Sequence, residues 1–158
     1  MILELETCIL TGIFADSEEE AIKQVRETGH CRYAYMTEDG KCEIKLTERR
    51  KHWWIDSAKK TVDKIIEKNV DNEGYTFVLS EDYKELQVFA NKDGKLSEFQ
   101  ADITNLVYAI EIIQLFSGAD DWNVVITVTN TENGVEIAKA NYPKEMIRWQ
   151  AITRIKNR

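Results

Sequence analysis

Hydrophobic positions along this chain switch between two periods, and nearly every switch falls on a residue that punctuates the backbone. Ile2 to Phe14 alternates loosely and is rich in Ile, Leu, Phe and Thr, which predicts a strand bent at Gly12. Ser17 and Glu20 then form a capping box, Ala21, Ile22 and Val25 supply a helical stripe, and Gly29 stops the helix. The segment CRYAYMTEDGKCEIKL predicts a hairpin about Asp39-Gly40. A two-residue turn there pairs Tyr35 with Ile44 and Tyr33 with Leu46, giving both strands one apolar face.

Thr47 caps a long helix running to Lys68, whose inward stripe is Trp54, Ile55, Ala58, Val62, Ile65 and Ile66; Trp53 lies off that stripe. After Asp71 to Gly74, strands are predicted over Tyr75 to Leu79 and Glu85 to Asn91, with a turn at Asp93-Gly94 into a third strand, Leu96 to Gln100. Asp102 caps a helix over Ile103 to Ser117, apolar around most of its circumference and ended by Gly118. Trp122 to Thr129 and Val135 to Ala140 form a last hairpin around Asn133-Gly134, and Asn141 with Pro143 opens a terminal helix. The predicted order is β-α-ββ-α-βββ-α-ββ-α. Strands that arrive as hairpins and a meander argue for the α+β class, an antiparallel sheet with helices packed mainly on one face, and against a Rossmann-type sheet.

From Thr47 onward this order, α-βββ-α-ββ-α, is similar to that of the type III secretion chaperone-like fold. The resemblance is one of element order alone. It implies a small acidic protein that binds a protein partner, as a homodimer in many such chaperones, and it assigns no site residues.

The 158 residues suit a single domain, 1–158, large enough to bury about two thirds of the unfolded surface. The longest apolar stretch, Ile103 to Phe116, is interrupted by Thr104, Asn105, Glu111 and Gln114, so no membrane span is expected. The first residues lack a basic leader and carry Glu4 and Glu6, which predicts a cytoplasmic protein. Cys8, Cys31 and Cys42 contain no CxxC pair, and the Asp39-Gly40 register would hold Cys31 roughly 20 Å from Cys42. Neither a disulfide, a metal site nor a cofactor is expected.

Charge changes this picture. The chain has a net charge of −7, yet ten of its 21 basic residues and only two of its 28 acids lie in two tryptophan-bearing segments, Arg49 to Lys60 and Lys144 to Arg158. Together these segments carry +8 and the remainder −15. On the first helix, Trp53 shares a solvent face with Arg49, Arg50, Lys60 and Lys64, a combination suited to a phosphate-bearing or acidic ligand. Arg148 and Trp149 are the corresponding candidates on the terminal helix, where Arg154, Lys156 and Arg158 also complement the helix dipole. The more ordinary reading of the same helix is that Trp53 packs on the preceding hairpin while the bases neutralise the protein's own acids.

Catalysis has a weaker basis. His52 and Asp56 are four residues apart on one helix, as a general base and its orienting carboxylate would be, but Ser57 points away from His52 and no GxSxG, HExxH, P-loop or GxGxxG occurs. No window has calcium-loop spacing, and the acidic pairs Glu38-Asp39, Glu81-Asp82 and Asp120-Asp121 fall at turns. Two expectations follow: a non-catalytic protein-binding module, of inhibitor, immunity or chaperone type, or a binder of nucleotides or single-stranded nucleic acid through Arg49, Arg50, Trp53, Lys60, Lys64, Arg148 and Trp149.

Overall fold

A computed structural model describes residues 2–6, 17–38, 41–150 and 152. Its elements are β1 (Ile2–Glu6), α1 (Glu18–Glu27), β2 (Tyr33–Met36), β3 (Lys41–Lys45), α2 (Glu48–Lys68), β4 (Tyr75–Leu79), β5 (Glu85–Ala90), α3 (Leu96–Phe116), β6 (Val124–Asn130) and β7 (Glu136–Tyr142). The class is α+β, with three helices among the described residues. β1, β3 and β2 form an antiparallel sheet in that order, and β4-β5-β6-β7 form a second, mixed sheet. The rest of the strand expected over Ile2 to Phe14, with its Gly12 bend, lies outside the described residues, as do the Asp39-Gly40 turn itself, Cys8, Arg154, Lys156 and Arg158.

The helix punctuation of α1 and α2 is obeyed. The Ser17 hydroxyl accepts from the Glu20 amide at 3.2 Å, and Gly29 takes a φ of 73° just past the end of α1. Thr47 caps α2 by accepting from the Arg50 amide at 3.3 Å, and Trp54, Ala58, Val62 and Ile65 form its buried face.

The β2–β3 hairpin differs from expectation by one residue. Tyr33 lies opposite Lys45 and Tyr35 opposite Glu43, rather than Leu46 and Ile44. Thr37 sets this register: its amide donates to the Lys41 carbonyl at 2.8 Å, and its hydroxyl accepts from the Lys41 amide at 2.9 Å, closing a loop one residue longer than the Asp-Gly signature implies. Such a slip exchanges the faces of the ladder. Ala34, Cys42 and Ile44 are therefore buried, while the Tyr33 and Tyr35 rings stack on the outer face and both hydroxyls donate to Glu43. Cys31 and Cys42 are both free thiols, Cys42 buried and Cys31 partly so. Burial pushes the Cys42 thiol up to about 12.

The expected third strand, Leu96 to Gln100, is instead the first part of α3. Phe99, three residues after Leu96, turns inward at helical spacing and meets the rings of Tyr75 and Phe77 at 5.1 and 6.4 Å. The turn before it packs closely on Gly74, where glycine is needed because a Cβ would lie 2.4 Å from the Gly94 Cα. Asp102, expected as a helix cap, is thus inside α3 and buried.

This substitution of helix for strand also changes the sheet. At about 1.5 Å per residue, the 21 residues of α3 span roughly 32 Å, enough to carry the chain back over the sheet. β6 accordingly pairs with β5 in parallel, which corrects the all-antiparallel expectation. β6 and β7 form the predicted hairpin, with Gly134 at φ 70° and a bulge between Val128 and Thr129. Because β7 continues through Tyr142, Asn141 and Pro143 do not open the terminal helix; of the described residues only Trp149, Gln150 and Ile152 are helical there.

α3 is the spine of the core, buried on most of its circumference from Phe99 to Phe116. α2 lies antiparallel beside it, with Trp54 against Phe116 at one end and Lys68 against Asp102 at the other. No described helix is long and apolar enough to cross a membrane.

Candidate functional site

The groove of interest forms where three turns of chain meet at the start of α2. Gly29 releases the chain from α1, and the next residue, His30, is held by its main chain: the Trp54 indole donates to its carbonyl at 2.8 Å, and its amide donates to the Thr28 hydroxyl at 3.2 Å. Trp54 is itself fixed in the core against Phe116. Held in this way, the His30 ring lies flat on Trp53, with centroids 3.7 Å apart and planes inclined by 5°. Trp53 meets Trp54 edge to face at 5.2 Å and remains 37% exposed.

His30, Arg32, Thr47, Arg49, Arg50 and Trp53 line a groove of about 510 Å³. Arg32 is placed by its amide, which extends the hairpin ladder to the Lys45 carbonyl at 2.8 Å. Arg49 and Arg50 occupy the first turn of α2. The carboxylate nearest in sequence is engaged elsewhere: Glu48 pairs with Lys51 at 2.8 Å, which holds its carboxyl below the usual range. Among the described residues, no ion pair or hydrogen bond involves the guanidinium group of Arg32, Arg49 or Arg50. Their field extends inward, since Arg50 and Arg26 oppose the rise that burial imposes on the Cys31 thiol. The result is a cationic groove with an aromatic wall in a chain of net charge −7.

The other candidates fall elsewhere. Lys60 and Lys64 are exposed on α2, seven and eleven residues past Trp53, or about 10 and 16 Å along the helix, and do not line the groove. Arg148 is exposed, but Trp149 is half-buried with its ring perpendicular to Phe99 at 5.7 Å. Phe99 and Phe116, the α3 rings that mark the two tryptophan clusters, are separated by roughly 26 Å of helix. Among the described residues, the two basic segments therefore do not make one surface. His52 and Asp56 are both exposed and share no hydrogen bond or ion pair among the described residues.

His30 and Arg32 had no signal of their own in the sequence. They reach the groove from the α1–β2 connection, which the bond from the Trp54 indole to the His30 carbonyl and the stacking of His30 on Trp53 bring to α2. No described cluster of His, Cys, Asp or Glu has the size and closeness to hold a metal ion.

A second charged cluster occupies the far end of the α2–α3 pair. Asp102, 4% exposed, accepts from Lys68 at 2.6 Å, Tyr75 at 2.9 Å and Asn69 at 3.1 Å. Asn69 also donates to the Ile65 carbonyl and accepts from Asn72, whose own side chain accepts from the Gly74 amide. Burial and the neighbouring Asp102 hold the Tyr75 hydroxyl well above its ordinary value. This network joins the end of α2, the start of β4 and the body of α3, and its partners are all internal.

Comparison of the chain with protein-family models, curated proteins and solved structures found no match. The architecture is that of an α+β protein with a cationic, aromatic-walled groove at the start of α2. The order from α2 onward, α-ββ-α-ββ, lacks the third strand on which the likeness to secretion chaperones rested.

Proposed function

We propose that this is a non-catalytic binding protein and that the groove beside His30 and Trp53 takes hold of an anionic group. One observation carries the reading: Arg32, Arg49 and Arg50 converge on a stacked aromatic pair without a carboxylate partner among the described residues. In a chain with 28 acidic residues, cations serving only self-neutralisation would be expected to sit against acids. Guanidinium groups suit carboxylate and phosphate because their planar donors match paired oxygens.

The test is calorimetric titration at low salt with pyrophosphate and with a peptide rich in Asp and Glu. At least one should bind saturably, weaken as salt rises, and lose affinity about tenfold or more in an Arg49→Ala, Arg50→Ala variant. Absence of saturable binding by either probe would sink the proposal.

Recognition of a protein partner is the second reading, supported by Tyr33 and Tyr35 on the outer face of the edge strand β2, where Tyr35 is 41% exposed. Tyrosine is enriched where proteins meet. If this face makes the contact, Tyr35→Ala should abolish capture of a partner that Arg49→Ala, Arg50→Ala still retains.

A further inference from the structure

We infer that the anion taken by this groove is the phosphate of a single nucleotide, whose base joins the stack begun by His30 and Trp53. This rests on the reading of the groove as an anion site and adds the chemistry of the rest of the ligand.

An anion alone would need only the arginines. Beside them is an imidazole lying flat on an indole at 3.7 Å, with Trp53 still 37% exposed after that contact and the perpendicular one to Trp54. A planar, uncharged π-face extends such a stack, whereas the aliphatic stem of an acidic side chain gains little from it. The stack is also held from beneath, because Trp54 fixes the His30 carbonyl and is itself packed on Phe116. Its rings are therefore ordered before a ligand arrives, which lowers the entropic cost of binding.

Size and surroundings limit the ligand to one unit. A groove of about 510 Å³ falls within the range usual for small-molecule sites. Proteins that bind single strands present successive aromatic platforms. Here the nearest comparable basic tryptophan segment lies at the other end of α3, with Trp149 turned against Phe99. The net charge of −7 further opposes a long polyanion. Arg49 and Arg50 on α2, with Arg32 across the groove, would then bracket the phosphate while the base lies on the exposed side of the stack.

Isothermal titration at low salt compares adenosine 5′-monophosphate with ribose 5-phosphate, adenosine, a ten-residue oligothymidylate and the acidic peptide. The monophosphate should bind about tenfold or more tighter than ribose 5-phosphate, in keeping with one base stacked on an aromatic, and tighter than the other three. Trp53→Leu should remove that advantage, while Trp53→Phe keeps part of it. Arg49→Ala, Arg50→Ala should reduce the monophosphate to the level of adenosine.

Equal binding of ribose 5-phosphate and the monophosphate overturns the inference and leaves the anion site standing. Tighter binding of the oligonucleotide or the peptide overturns it in favour of a strand or an acidic segment. An advantage retained in Trp53→Leu, or lost equally in Trp53→Phe, overturns the role of the stack. If none of the phosphates or the peptide binds, the proposed function fails as well.

Discussion

The two ends of the α2–α3 pair solve opposite problems with the same kinds of residue. At the far end one carboxylate, Asp102, is sealed from water and given three donors from two other segments of chain, the end of α2 and the start of β4. At the near end three guanidiniums face a groove and receive no carboxylate among the described residues. Burial without partners is costly for a charge, whereas exposure without partners costs little fold stability and leaves the charge available. Paired and buried groups thus mark what holds this protein together, and like charges left together beside a rigid ring mark the groove for which we propose binding.

Removing Asp102 tests the first half of that contrast. Asp102→Ala strands the Asn69 and Tyr75 donors and leaves Lys68 without its partner, so it should lower stability by about 3 kcal/mol. Chemical denaturation would show it as a lower midpoint; a change under 1 kcal/mol would mean the network is not structural.

A smaller effect should follow from alkali. Tyr75, Tyr108 and Tyr142 are held above their ordinary value of 10.0, chiefly by burial, so folding favours their neutral forms. Their contribution is fully present below pH 10 and declines as pH rises past it, because the unfolded chain then loses protons that the folded chain keeps. Tyr75→Phe should cost about 1 kcal/mol at neutral pH and make the alkaline decline shallower. An unchanged slope would separate Tyr75 from that decline.

The least change in stability should come from the groove. Arg49→Ala should shift the denaturation midpoint by no more than about 0.5 kcal/mol, since no partner within the described protein loses a contact. A cost near that of Asp102→Ala would erase the distinction between the two ends.

Much of the fold was legible because caps, glycines and periodicity agreed with one another, as at Ser17, Gly29, Thr47 and Gly134. The failures came where one local signal supported two structures. Leu96 to Gln100 was too short to display its period, and Asp102 resembled a cap although its partners are Lys68, Asn69 and Tyr75, remote in sequence. The Asp-Gly pair suggested a two-residue turn, while the decisive group was the Thr37 side chain before it.

The site was half legible for a related reason. Arg49, Arg50 and Trp53 share one helix, where angular position can be read from spacing, whereas His30 and Arg32 arrive from another segment. Trp149 looked equivalent to Trp53 in composition, and only the helical placement of Phe99 shows why it turns inward.

The parallel seam between β5 and β6 bears on how the chain reaches this state. β4 with β5 and β6 with β7 are each neighbours that can zip locally, but Leu86 meets Ile126 only after the whole of α3 has crossed between them. Loop closure of that length slows folding, so the two hairpins remain separate halves until the helix docks them. α3 is thus a folding clasp as well as the centre of the core, and faults in its packing should delay assembly of the four-stranded sheet before they alter its final form.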